Sequence, residues 1–107
     1  MTDKIVVLST CASAEEAERI GRTLLEQHLA ACVNVLPAMR SIYHWKGAIE
    51  SAEECLLLIK TARPHFEAVS AALRTAHSYE LPEVLAIPIL DGSVDYLEWM
   101  GKHLGAA

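Results

Sequence analysis

The residues with the most chemical potential lie in one short segment, which reads HSYELPE and spans residues 77–83. It combines an imidazole (His77), a phenol (Tyr79) and two carboxylates (Glu80 and Glu83). Imidazole is a ligand for copper and zinc, and paired carboxylates can act as general acid and base. These residue types fit a metal site or a reaction centre, but they also fit a turn between a helix and a strand.

A reaction centre finds little support in the rest of the chain. Tyr79 and the two carboxylates could share a cleft with Lys60. However, no serine lies in a G-x-S-x-G context, and the sequence contains neither a G-x-G-x-x-G loop nor a P-loop. We therefore predict that the protein is not an enzyme and binds no nucleotide cofactor.

Composition narrows the classes of partner. The formal net charge is −5, from 9 basic and 14 acidic residues, and the basic residues are scattered singly. A nucleic-acid-binding surface needs concentrated positive charge, so we expect no nucleic-acid partner. Only four strongly apolar residues follow Lys4, too few for a signal or a membrane span. Cations, small molecules and other proteins remain as partners.

The cysteines indicate reduced thiols rather than a disulfide or zinc framework. Cys11, Cys32 and Cys55 are odd in number and widely spaced, with no C-x-x-C pair. Cys32 and Cys55 lie in apolar surroundings, where a free thiol packs as a small hydrophobe. A cytoplasmic location is the simplest interpretation.

Hydrophobic periodicity predicts a single domain, residues 1–107, with the element order β-α-β-β-α-β-α. This order, two β-α-β units joined by a long hairpin, indicates an α+β ferredoxin-like sandwich with a C-terminal helix. The first and third strands should be central, and the first two helices should cover one face. The predicted strands are 4–10, 31–45, 48–62 and 84–90, and the predicted helices are 12–30, 64–77 and 94–104.

Prolines and glycine refine these elements. Pro37 should mark a sheet edge or a bulge, and Lys46-Gly47 should form the hairpin turn. Pro64 suits the first position of the second helix, and Pro88 should interrupt the last strand. Pro82 favours an extended Leu81 and so ends the second helix before the strand.

The central strands predict association between copies of the chain. Residues 5–8 (IVVL) and 56–59 (LLLI) are apolar at successive positions, so both faces of the sheet need burial. The two helices cover only one face, and an open apolar face is an association site. The alternative is that the last helix covers the second face by itself.

Five stretches together resemble the CutA divalent-cation tolerance family: LAACVNVLP, SIYHWKGAIE, LLLIKT, HSYELPEVLAIPI and DYLEWM. They occur in the family's order and span nearly the whole chain. The resemblance implies a ferredoxin-like fold assembled as a homotrimer, similar in architecture to PII signalling proteins. It also implies a cytoplasmic location in bacteria and a role in tolerance of copper and other divalent cations.

The resemblance also implies a metal site. Proposed ligands in the family are a cysteine near the end of the first strand and a histidine before the fourth strand. His77 matches the histidine position, whereas Ser9 stands at the cysteine position, so Cys11 is expected to substitute two residues later. The alternative is that His77 only caps its helix, where the dipole favours a cation.

Two functions follow from this reading. In the first, a homotrimer binds or responds to copper or another divalent cation through His77 and Cys11. In the second, a PII-like signalling or scaffold trimer binds a small ligand or a protein partner in a cleft between subunits. That cleft is predicted to involve Trp45, Lys60, Tyr79, Glu80 and Glu83.

Overall fold

The structure is a computed structural model that describes residues 2–106. A 3-10 turn at Arg63–His65 leads into the second helix. None of the helices in the described residues is long and apolar enough to cross a membrane. The elements are β1 (Lys4–Cys11), α1 (Ala14–Glu26), β2 (Cys32–Trp45), β3 (Ala48–Ala62), α2 (Phe66–Ala76), β4 (Leu85–Pro88) and α3 (Val94–Lys102).

The four strands form one sheet in the order β2-β3-β1-β4, with every neighbouring pair antiparallel. β1 and β3 are therefore central, as predicted, and the ferredoxin-like α+β architecture is confirmed. β1 pairs with β3 along its whole length, from Lys4 opposite Ala62 to Cys11 opposite Cys55. Its pairing with β4 covers only Ile5–Leu8, so the end of β1 has no strand partner on that side.

The first sheet face packs against α1 and α2. Alternate residues of β1 are buried, beginning with Ile5, because successive side chains of a strand point to opposite faces. On α1, Ser13 accepts a hydrogen bond from the Glu16 backbone N–H (3.2 Å), which caps the helix. The core combines side chains of both helices with those of β1 and β3: Ala17, Ile20, Leu24, Val69, Leu73, Ile5, Val7, Leu57 and Ile59.

The second sheet face is only partly covered. Met100 of α3 is buried, and the ring of Tyr96 lies over β3 with its centroid 5.7 Å from Lys60 Nζ. Leu85 and Ile87 of β4 pair with Leu8 and Val6, so all four share this face. Leu85 is 57% exposed and Ile87 is 46% exposed. The alternative that α3 covers the whole face is therefore wrong for the monomer.

The long hairpin has the predicted turn and irregularity. Lys46 and Gly47 have φ angles of 49° and 82°, as a two-residue turn between twisted strands requires. The β2–β3 register shifts between Leu36 and Met39, where Ala38 has φ 61°. Pro37 lies within this irregularity, on an edge strand, which confirms the prediction made for it.

The first helix is shorter than predicted. It ends at Glu26 rather than at residue 30, because His28 has φ 57° and leaves the helical path. His28 is exposed and is not part of the buried face of α1. The backbone N–H of Gly105 donates to the His28 carbonyl (2.9 Å), so the chain after α3 packs against this bend.

The bounds of α2, α3 and β4 also differ from the prediction. Pro64 lies in the 3-10 turn, so α2 begins at Phe66. His77 is extended (φ −80°, ψ 143°), so α2 ends at Ala76 and not at His77. α3 ends at Lys102 and β4 spans Leu85–Pro88; the strand ends at a residue that has no backbone N–H to donate.

The adjacent leucines of α1 test this packing. Leu24 is 1% exposed, whereas Leu25 is 39% exposed on the same helix turn. We expect Leu24→Ala to lower the free energy of unfolding by about 3 kcal/mol, because it leaves a cavity in the core. The matched Leu25→Ala should lower it by less than about 1.5 kcal/mol. Urea denaturation at fixed protein concentration measures both, and equal losses would contradict the packing described.

Candidate functional site

The segment 77–84, here called the connector, joins α2 to β4 without regular structure. His77 is its first residue and caps α2, since its backbone N–H donates to the Leu73 carbonyl (2.9 Å). The predicted helix-end role of His77 is therefore present in the backbone. Its side chain makes separate hydrogen bonds with the end of β1 and with Tyr79 of the connector.

The His77 ring ties the connector to the end of β1. The backbone N–H of Tyr79 donates to His77 Nδ1 (3.1 Å), so the ring proton resides on Nε2. Nε2 in turn donates to the Thr10 carbonyl at 2.6 Å. That carbonyl lies beyond Leu8, where pairing with β4 stops. The imidazole thus replaces a missing strand partner, and both of its nitrogens are engaged.

Cys11 lies beside this ring. Its Sγ is 3.7 Å from His77 Nε2, and the residue is fully buried. Burial, followed by the negative charge of Glu16, raises the pKa of the Cys11 thiol to about 12. The two predicted metal-site residues are therefore adjacent, with the sulfur held as a neutral thiol.

A second contact joins the connector to β3. The Tyr79 hydroxyl donates to Glu54 Oε2 at 2.6 Å, and Glu54 is 9% exposed. Burial and this hydrogen bond raise the pKa of the Tyr79 phenol, because both favour the protonated form. The Tyr79 ring also lies against His77, with centroids 4.7 Å apart.

A third contact joins the connector to α1. The backbone N–H of Ser78 donates to Glu16 Oε2 (2.9 Å), and Arg19 Nη2 donates to the Ala76 carbonyl (3.3 Å). Burial would raise the pKa of Glu16, but the hydrogen bonds from Ser78 outweigh it and lower that pKa. The other carboxylate oxygen, Oε1, is buried without a hydrogen-bond partner among the described residues.

The connector and the part of the β2–β3 hairpin nearest its turn enclose a groove of about 970 Å³. Four of the residues predicted for a cleft line it, namely Trp45, Tyr79, Glu80 and Glu83. Lys60 is not among them, because its Nζ packs over α3 on the second sheet face. The cation nearest to the groove carboxylates is Lys46, whose Nζ lies 4.0 Å from Glu80 Oε2.

Few side chains that could bind a metal lie together at the end of β1. Among the side chains of residues 2–106, no three His, Cys, Asp or Glu residues are grouped so that they could hold a metal ion. Cys11 and His77 supply two donors. Ser9 is buried on the same face as Cys11, and its Oγ has no hydrogen-bond partner in the described part of the chain.

Comparison with known proteins decides the family. Residues 5–103 match the family model described as CutA1 divalent ion tolerance protein. The chain belongs to the CutA1 divalent ion tolerance family.

Relatives within the CutA1 family match nearly the whole chain. The divalent-cation tolerance protein CutA of Thermus thermophilus is 41% identical, over 94% of this chain and 97% of the relative. The CutA crystal structure from Xylella fastidiosa is 39% identical, with a TM-score of 0.94 over 97% of this chain and all of that chain. CutA1 from Oryza sativa superposes with the same TM-score at 36% identity, over 97% of this chain and 95% of that one.

The sequence did not indicate three residues that accept hydrogen bonds from the connector. Glu16 stands three residues after Ser13, a spacing typical of a capping box, but its carboxylate accepts a hydrogen bond from the Ser78 backbone N–H instead. Glu54 lies in a polar stretch of β3 where nothing in the sequence points to Tyr79, and Thr10 contributes only a backbone carbonyl. The spacing of Glu16 from Ser13 could have drawn attention to Glu16. Nothing in the sequence marked Glu54 or Thr10 as contacts of the connector.

The Glu16 contact predicts a pH-dependent stability. A carboxyl with a lowered pKa stabilises the fold above its unfolded pKa, near 4.5, and this stability is lost as the pH falls through the folded value. We expect Glu16→Gln to lower the free energy of unfolding by about 1–3 kcal/mol at pH 7.

Denaturation across the pH range measures the effect, with Glu15→Gln at the exposed neighbouring position as the control. The difference between wild type and Glu16→Gln should shrink below pH 4.5. A difference that stays constant down to pH 3 would contradict a role for the Glu16 charge.

Proposed function

We propose that the protein acts as a homotrimer that binds or responds to copper or a similar divalent cation, with Cys11 and His77 as donors. The contact of Cys11 Sγ with His77 Nε2, at 3.7 Å, carries the proposal. Thiolate and imidazole suit copper and zinc, so the two residue types fit such an ion.

The surroundings also suit a cation. Among the described residues, Glu16 Oε1 is buried without a hydrogen-bond partner, and the Glu16 charge acts on the Cys11 thiol. A cation beside these residues would satisfy that oxygen and offset its charge. Cys11 and His77 are two donors, and water or a second copy would complete the coordination.

Cation binding would be coupled to the connector. Both His77 nitrogens are hydrogen-bonded, so a metal on the ring must displace either the Tyr79 N–H or the Thr10 carbonyl. Each lost hydrogen bond costs about 1 kcal/mol net. Binding would therefore loosen the connector, which is a physical route from an ion to a response.

The proposed trimer rests on the open second face. Leu85, Ile87 and Leu36 are 57%, 46% and 43% exposed there. The outer half of the hairpin, beyond the Cys55–Cys11 pair, pairs only with itself and carries Ile42 and Ile49, both 72% exposed. Exposed apolar surface next to free strand edges favours association with further copies.

The groove supports the second candidate function. It is large enough for a small ligand, and it combines the aromatic rings of Trp45 and Tyr79 with the carboxylates of Glu80 and Glu83. A PII-like trimer would bind a ligand or a protein partner there, between subunits. In either case we propose a cytoplasmic protein without catalytic activity, in line with its three free thiols and the lack of a nucleophile motif.

Calorimetric titration with Cu(II) and Zn(II) tests the metal proposal. We expect Cys11→Ser and His77→Ala each to lower the affinity at least about tenfold, because each removes a donor. His44→Ala, at an exposed hairpin position, is the control and should bind like the wild type. Affinity unchanged in both site variants would reject this site and direct the search to the groove.

Light scattering tests the assembly. We expect a particle of three times the 11.7 kDa chain mass. Ile87→Glu should dissociate it, because the charge would be buried in the interface. Leu25→Glu, which places the same charge on the outer side of α1, should leave it intact. A wild type of single-chain mass would exclude the trimer.

A further inference from the structure

Two thiols face each other in the core, and only one of them belongs to the site proposed above. Cys11 and Cys55 are directly opposite partners in the β1–β3 pair. Cys11 is fully buried and Cys55 is 5% exposed. Opposite residues of an antiparallel pair lie on the same sheet face, so the two side chains are neighbours. The third cysteine, Cys32, lies on the edge strand β2 opposite Lys60, and it is remote from Cys11 and Cys55.

The hydrogen-bond pattern sets their separation. The Asp3 carbonyl accepts from the Arg63 N–H (2.8 Å), and the Lys4 carbonyl accepts from Ile89 on the other side. Odd-numbered residues of β1 therefore bond to β3, which makes Cys11 and Cys55 a hydrogen-bonded pair. Such pairs have Cα atoms about 5.5 Å apart, and their Cβ atoms lie near the upper end of about 4.5–5.5 Å.

This spacing suits a bridging metal better than a disulfide. A disulfide needs Cβ atoms about 3.8 Å apart, so the strands would have to pinch together. A soft ion with metal–sulfur bonds of about 2.3 Å holds two sulfurs about 4.6 Å apart in a linear arrangement. The opposite pair can provide that span without movement of the strands.

We propose that Cys11 and Cys55 form a two-sulfur site for a soft divalent cation that accepts linear coordination, of which mercury(II) is the type. Each thiol releases its proton to solvent as its sulfur binds, so one M²⁺ replaces two H⁺ and no electrons are transferred. The buried site remains neutral. The inference goes beyond the Cys11–His77 site and depends on Cys55, which that site does not use.

Neutrality decides the class of ion. Cys11 and Cys55 are both buried, and burial disfavours added negative charge. A monovalent ion between two thiolates would leave a net negative charge in the core, which is costly. Zinc(II) is neutral in this pairing but prefers four ligands, and the described residues hold no group of three.

A linear ion needs no third ligand, and the His77 ring is already engaged. Its Nδ1 lone pair accepts from Tyr79 and its Nε2 proton is donated to Thr10, so a metal on the ring would have to displace one of these hydrogen bonds. An ion between the two sulfurs leaves these hydrogen bonds in place. The strand end gives a route of access, because Cys11 is the last residue of β1 and Ala12 beside it is exposed.

Competition with glutathione tests the site. Mercury(II) is added to reduced protein in excess glutathione, and the metal retained per chain is measured after desalting. One thiol cannot hold the ion against excess glutathione, but two pre-positioned thiols gain from their high effective concentration. We expect one mercury per wild-type chain, and at least about 100-fold weaker retention in Cys11→Ser and Cys55→Ser, because each loses the gain from two linked thiols.

Matched variants make the result decisive. Cys32→Ser also leaves two thiols and should retain mercury like the wild type, as should His77→Ala. X-ray absorption should show two sulfur neighbours and no imidazole. Cys55→Ala, with circular dichroism on every variant, separates loss of the site from loss of the fold.

Three results would overturn the inference: retention that survives in both Cys55 variants, retention that depends equally on Cys32, or an imidazole in the absorption spectrum. Failure here with intact Cu(II) binding would leave the Cys11–His77 proposal standing. The reverse outcome would remove that proposal and leave the two-sulfur site.

Discussion

The hydrogen bond from His77 Nε2 to the Thr10 carbonyl, 2.6 Å long, is the contact on which the arrangement of the site depends. β4 is too short to reach the end of β1, so this carbonyl would otherwise lack a partner next to the core. The imidazole supplies the missing donor, and the same ring accepts the backbone N–H of Tyr79. One side chain thereby completes the sheet and fixes the first turn of the connector.

The other contacts of the connector follow from that position. Once His77 is fixed, Ser78 meets Glu16 on α1 and Tyr79 meets Glu54 on β3, at 2.9 and 2.6 Å. Both acceptors are carboxylates, and hydrogen bonds to charged groups are stronger than neutral ones. The connector is thus tied to a helix, a central strand and a strand end, although it has no regular structure of its own. Its exposed side, from Glu80 onward, remains available to line the groove.

Local chemistry explains which features the sequence predicted. The order of the elements, the Lys46-Gly47 turn and the irregularity at Pro37 follow from hydrophobic period and backbone preference, which act over a few residues. The end of α1 was missed because His28 adopts φ 57°, and there the chain after α3 packs against its carbonyl. The partners of Ser78 and Tyr79 were missed for the same reason. Glu16 and Glu54 are 62 and 25 residues away from them, and only the fold brings these pairs together.

The same ring that organises the connector would separate the two proposed kinds of metal chemistry. An ion bound to His77 would have to break one of its hydrogen bonds, so the stability of the connector would reduce the affinity, and binding would be transmitted to the groove. An ion between Cys11 and Cys55 would displace only protons and leave the connector unchanged. A borderline cation that needs imidazole would therefore act on conformation, whereas a soft cation would be held without a conformational signal. The distinction arises because the His77 nitrogens are already used by Thr10 and Tyr79, while the thiols of Cys11 and Cys55 are not joined in disulfides.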